Sequence, residues 1–175
     1  TGVGFQPDAT WIKNRSAADT HQLADSVSGA TKYNYPAESY TQSTNVESVK
    51  SFDVDGFTVG TQNTINTNTE EFASWNWKGG TTSGIDATGA DITPSAYSFS
   101  QTAGISIIKY TGNGISGAKI AHGLGAIPQF IVVFNTQTAE NKLVYHAAEG
   151  ATKYLVLNTN AVATDYPNWN DVTPT

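Results

Sequence analysis

The chain repeats itself, and the repeat is long. Gly29-Ala30-Thr31-Lys32-Tyr33 recurs as Gly150-Ala151-Thr152-Lys153-Tyr154, an offset of 150 − 29 = 121 positions. The same offset carries Gly2, Gly4, Pro7 and Asn14 onto Gly123, Gly125, Pro128 and Asn135 without an insertion. Self-similarity at a fixed period marks a chain of similar units, and this period is far above the roughly 20–50 residues of ordinary solenoids. Each unit is therefore expected to be a small domain with its own core. Two units fit end to end in 175 residues, and neither is expected to be complete. The first has no counterpart of Ile105–His122 apart from Thr1, which aligns with His122. The second stops before any match to Asp55–Gly80. The chain reads as a window on a longer array.

Short β-branched or aromatic runs set the local structure. Ala9–Lys13, Ile105–Tyr110, Gln129–Phe134 and Tyr154–Leu157 read as strands. Phe72–Trp77 alternates, with Ala73, Trp75 and Trp77 on one face and Phe72, Ser74 and Asn76 on the other. Phe57–Val59 follows a turn at Asp55-Gly56, and Leu143–His146 is a further strand candidate. No window combines a 3.6-residue apolar period with caps, although Ser16–Val27 has room for a turn or two of helix. Many short strands separated by Gly and Asn turns predict an all-β chain of antiparallel sandwich or barrel units. From Lys78 to about Pro94 the composition shifts to Gly, Thr, Ser and Ala, which reads as a flexible or draped linker. The predicted organisation is a first β-sandwich unit over residues 1–80, a linker over 81–94 and a second β-sandwich unit over 95–175. The strand Ile105–Tyr110 and the turn Gly112-Asn113-Gly114 open the second unit; the first would need another segment to complete its sheet.

Charged residues make up only 14% of the chain, against roughly 25% in typical domains. Thr, Asn, Ser and Gly fill that space, a surface common among extracellular and virion β-proteins. The formal charge is −6, without a Lys/Arg cluster, which argues against nucleic acid and anionic membranes as partners. There is no cysteine, hence no disulfide framework, Cys-based zinc site or thiol nucleophile. No apolar run approaches the length of about 18 residues that a spanning helix needs, and Thr1 opens no visible leader.

Gly4-Phe5-Gln6-Pro7-Asp8-Ala9-Thr10-Trp11-Ile12-Lys13-Asn14-Arg15 resembles a repeat of tail-fibre and other structural proteins of tailed phages, many of them marine. So do His21-Gln22-Leu23-Ala24-Asp25-Ser26-Val27 and the run Ser51–Gly60. Gly123-Leu124-Gly125-Ala126-Ile127-Pro128, Val144-Tyr145-His146 and Trp169-Asn170-Asp171 resemble a variant form of the same repeat. The chain departs from the pattern at Val133-Phe134-Asn135, where a Lys usually precedes the Asn, and at Tyr33–Tyr40. The resemblance implies a virion location and a β-sandwich of the jelly-roll or lectin-like kind, and it carries no catalytic residues.

Trp75 and Trp77 share a strand face and could stack on sugar rings, but large aromatics at alternate positions are usually core. They are expected to be buried, and Trp11 likewise. Trp169, among Pro167, Asn168 and Asn170, is the better candidate for an exposed contact, though it could equally pack against the missing end of the second unit. Asp53-Val54-Asp55-Gly56 resembles the start of a calcium loop, yet Phe57-Thr58-Val59 follows at once, so a hairpin turn is the simpler reading and no metal is expected. On a strand, Glu70 and Glu71 would point to opposite faces, unlike a glycosidase pair. His21, His122 and His146 align with Lys142, Thr1 and Asp25, not with one another. No Gly-x-Ser-x-Gly elbow or phosphate loop is present. The shared Gly-Ala-Thr-Lys-Tyr reads as a Gly turn leading into a strand, with Tyr packed.

The sequence therefore predicts a phage structural protein: a fibre of tail or head, or a decoration module, that is no enzyme and has no cofactor. Its expected partners are other virion proteins, copies of itself and host surface polysaccharide. The alternatives are a carbohydrate-active, tail-associated depolymerase and a free lectin-like module. Exposed Trp75 and Trp77 would favour glycan binding; a buried pair would favour pure structure.

Overall fold

A computed structural model of the chain describes residues 2–175. Thr1, and with it the alignment of His122 onto Thr1, lies outside the described residues. The protein is all-β and sandwich-like, with one short helix. In chain order the strands are β1 (Ala9–Asn14), β2 (Gln22–Asp25), β3 (Lys32–Asn34), β4 (Ser43–Thr44), β5 (Val49–Asp53), β6 (Gly56–Val59) and β7 (Phe72–Trp77). They continue as β8 (Ala96–Ser100), β9 (Ile105–Lys109), β10 (Phe130–Val133), β11 (Leu143–His146), β12 (Lys153–Val156) and β13 (Thr164–Asp165). Helix α1 (Asn63–Asn66) lies between β6 and β7.

The first sheet has the order β4-β3-β2-β1-β7, and its strand pairs are antiparallel. Alternation along β1 turns Thr10, Ile12 and Asn14 inward and leaves Trp11 and Lys13 less buried. Ile12, Ala24 and Tyr33 form the core with Val49 and Ile65, and Phe52, Phe57, Val59 and Phe72 pack against it. The β5–β6 hairpin and α1 thus cover the inner face of the sheet. Most polar groups drawn into this core are paired: Ser48 Oγ donates to Gln22 Oε1 at 2.8 Å, and Thr10 Oγ1 to Asn76 Oδ1 at 3.0 Å, whereas Gln62 Oε1 is buried without a partner among the described residues.

The second sheet, β10-β11-β12-β13, is an antiparallel meander with the register of β1-β2-β3-β4 shifted by the sequence offset. Ala9↔Asp25 becomes Phe130↔His146, Leu23↔Asn34 becomes Val144↔Leu155, and Lys32↔Thr44 becomes Lys153↔Asp165. The turn after the first strand matches too. Asn14 Oδ1 accepts from the Ser16 and Ala17 amides at 2.9 and 3.2 Å, and Asn135 Oδ1 from the Gln137 and Thr138 amides at 3.0 Å each. In both turns the Asn Nδ2 donates to an acidic residue five positions on, Asp19 or Glu140.

That turn explains one departure from the sequence reading. Ser16–Val27 is not helical: Asn14 reverses the chain, and Gln22 and Ala24 alternate into the core as β2. The stretch 81–94, read above as a linker, is held in place by hydrogen bonds. Thr81 and Phe99 exchange two backbone hydrogen bonds at 3.0 Å, Tyr97 Oη accepts the Ile85 amide at 3.1 Å, and Ile92 bridges Ile120.

Candidate functional site

The feature that stands out is the outer face of the first sheet. Residues directly opposite on neighbouring strands share a face. Trp75 lies opposite Trp11, and Trp11 opposite Leu23; Trp77 lies opposite Ala9. The three indoles therefore lie on the side away from the Ile12–Tyr33 core. The expectation that Trp75 and Trp77 are buried is overturned: they are 52% and 37% exposed. The cause is geometric. Phe72 takes the core position on β7, so the alternate residues must face outward, and β7 is an edge strand.

Trp11 is held more firmly. Its Nε1 donates to His21 Nδ1 at 3.0 Å, and the rings meet edge to face at 5.9 Å. Burial holds the His21 pKa below its usual range, the Lys13 charge adds to this, and Glu38 opposes it. The neutral imidazole is the form that accepts the indole N–H. Lys13 shares the outer face and donates to the carbonyls of Ala17 and Asp19 at 3.1 and 3.0 Å. At the other end of this face, Ala9 and Asp25 are buried. Burial raises the Asp25 carboxyl, against the Ser28 amide hydrogen bond (2.6 Å) and the Lys109 charge.

Trp169 is packed rather than set out as an exposed contact. Its Nε1 donates to the Lys153 carbonyl at 3.0 Å, and its ring packs edge-on to Tyr145 at 5.8 Å. It is half-buried and ties the C-terminal segment to the second sheet, whereas Trp75 and Trp77 belong to the first. The structure thus brings two of the three candidates together and leaves Trp169 apart. Trp11 and His21 complete the outer face; the signal for them was the alternation that sets Trp11 and Lys13 on one side of β1, since Lys13 marks a face near solvent.

The acidic candidates are taken up by hydrogen bonds of the local structure. Asp55 accepts the Gly2 and Gly4 amides at 3.1 and 2.7 Å, and Asp53 accepts the Thr58 hydroxyl at 2.7 Å. The turn of the β5–β6 hairpin is Val54-Asp55, with Gly56 opening β6. Glu70 accepts from Asn14 Nδ2, and the Glu71 amide donates to Ser16 Oγ at 2.9 Å. His122 Nδ1 accepts the Leu124 amide at 3.1 Å, and His146 Nδ1 the Ala148 amide at 3.2 Å. Among the described residues no His, Asp and Glu group has the geometry to hold a metal ion, and no helix is long and apolar enough to cross a membrane. A recess of about 460 Å³ beside the linker is lined by Phe99, Gln101, Lys119 and His122, with Asp86 as its one acidic side chain.

These features define an all-β protein of antiparallel sheets with an exposed tryptophan face. The chain belongs to the family described as a domain of unknown function (DUF7483), which matches residues 1–175. No curated protein and no solved structure matches it.

Proposed function

We propose that this chain is a structural module of a phage particle, a fibre or decoration unit, that touches host surface polysaccharide through the outer face of its first sheet. The observation that carries the glycan contact is the exposure of Trp75 and Trp77 on the face turned away from the core. An indole presents a broad apolar plate that matches the C–H face of a sugar ring. An edge strand leaves room for an extended polymer to lie across both plates. The virion part of the reading is supported by the sequence resemblance and by a surface poor in charge. Weak contacts of this kind gain strength when units are tethered in series or in an oligomer.

The test is binding to an array of bacterial surface polysaccharides, with Trp75→Ala/Trp77→Ala and Trp169→Ala beside the unaltered chain. Two stacking plates at about 0.5–1.5 kcal/mol each predict binding weaker by about 5- to 140-fold in the double variant, with circular dichroism unchanged. Trp169→Ala is expected to lower stability and leave affinity intact. Absence of binding by the unaltered chain, binding that survives the double substitution, or release of cleaved sugar would overturn the reading.

A further inference from the structure

The two meanders differ at one edge. β1 is paired on both sides, by β2 and β7, whereas β10, its counterpart, is paired by β11 alone among the described residues. The ladder shows which groups this leaves open. In an antiparallel sheet, alternate residues of a strand exchange hydrogen bonds with opposite neighbours. The Ser26 amide donates to the Asp8 carbonyl and the Ala147 amide to the Gln129 carbonyl, both at 2.9 Å. By this register Thr10 and Ile12 bond to β2, and Ile131 and Val133 bond to β11. On the other side of β1, the Arg15 amide donates to the Glu71 carbonyl at 2.7 Å, in step with Trp11 and Lys13 facing β7. Phe130 and Val132 are the counterparts of Ala9 and Trp11. They turn their N–H and C=O groups outward, where no described strand meets them.

Nothing blunts this edge. Phe130-Ile131-Val132-Val133 has strong strand preference and carries no Lys, Pro or bulge, the usual guards of an exposed edge. Phe130 is 54% exposed. On the inner face, Ile131, Val133 and Tyr154 are half-buried, whereas their counterparts Thr10, Ile12 and Tyr33 are buried. In the first sheet part of that cover comes from Phe72 of β7.

We propose that the open edge of β10 is an acceptor for an antiparallel strand of the β7 type, supplied by another unit of the same repeat. The strand's alternation would set its Phe on the inner face and its two Trp on the outer face. Transferred by the repeat offset, the β1–β7 register places Val132 opposite the position of Trp75 and Phe130 opposite that of Trp77. Addition of this strand would extend the tryptophan face across the second sheet, and it does not depend on what that face binds.

The experiment adds a synthetic peptide with the sequence of residues 70–78 to the full chain. Amide hydrogen exchange reads the edge, and fluorescence anisotropy of a labelled peptide reads affinity. The expected result is saturable binding with at least about tenfold slower exchange at Phe130 and Val132 and no change at Trp11 and Lys13. Val132→Pro removes one outward N–H and leaves the β11 pairing intact, a place where an edge strand tolerates Pro, so it should abolish binding. If that variant fails to fold, a scrambled peptide of the same composition serves instead and should not bind. Absence of protection at β10, protection changes at β1 through displacement of β7, or equal binding of the scrambled peptide would overturn the proposal. So would a dimer paired β10 to β10 in sedimentation of the chain alone.

Discussion

Trp11 and His21 hold each other through a bond that only a neutral imidazole can accept, with Nδ1 as acceptor at 3.0 Å. Burial, aided by Lys13, holds the folded-state pKa below the ordinary 6.5, against the pull of Glu38. As pH falls, the unfolded chain takes up a proton at His21 before the folded one does. The contribution is therefore fully present above about pH 6.5 and is lost as pH falls through the lower folded value. The melting temperature of the unaltered chain should drop across that window, and His21→Gln should lower it at neutral pH and flatten the dependence. An equal slope in both chains would show that His21 is not the titrating group. The tryptophans show what was legible at this scale. The alternation of Phe72–Trp77 could be read from the residues, but not which side is inside. Phe72 and the two Trp are all large and apolar, and only pairing with β1 decides that Phe72 meets Ile12 and Tyr33.

Strands were legible where a run is long or apolar enough to declare itself. β7 and β11 have the bounds that their sequences predict, and β9, β10 and β12 differ from theirs by one residue at one or both ends. The short polar strands β3 (Lys32–Asn34) and β4 (Ser43–Thr44) carry no pattern of their own; they exist because β2 offers an edge to pair with. β8 was hidden for another reason. Its Ser98 reads as a solvent-facing residue between Tyr97 and Phe99, whereas it is buried: that side chain accepts the Gly80 amide at 2.8 Å and holds the residues that follow β7. Gly79 is the other half of this joint. Its amide donates to Asp8 Oδ2 at 2.9 Å, and a Cβ there would meet the Ser98 carbonyl carbon at 2.7 Å and the Phe99 amide at 2.9 Å. Backbone atoms have nowhere to go, so Gly79→Ala should cost about 1–3 kcal/mol by overpacking. At about 2–4 °C per kcal/mol in a chain of this size, calorimetry should show a melting temperature lower by about 2–12 °C. Gly112→Ala is the control: it has open space and no positive φ, and it should stay within about 0.5 kcal/mol. Equal melting of the two variants would mean that β8 does not press on the end of β7.

One link between the two meanders is a buried cation. Lys142 is 1% exposed, donates from Nζ to the carbonyls of Tyr40 and Glu140 at 2.9 Å each, and lies 5.9 Å from the centre of the Phe134 ring. Tyr40 belongs to the loop between β3 and β4, so this side chain reaches from the second meander into the first. Burial lowers the Lys142 pKa, and the Glu140 charge works against that. Among the described residues no carboxylate pairs with the ammonium, and the bond to Tyr40 is made with backbone. Sequence reasoning had no means to find this strut, because at the repeat offset Lys142 answers to His21, which bonds to Trp11 within its own sheet. The same position is thus used locally in one meander and between meanders in the other. Lys142→Met keeps the apolar stem and removes the three donors, so two carbonyls lose a charged partner at a cost of about 1.5–3 kcal/mol for each bond that water does not replace. Lys142→Ala should cost more, since it also leaves a cavity. Hydrogen exchange tells a strut from a local prop. If Lys142 joins the sheets, Lys142→Met should speed exchange both at Leu143–Val144 and in the segment from Tyr40 to Thr44. Faster exchange confined to β11 and β12 would mean that the meanders stand independently and that the bond to Tyr40 carries no load.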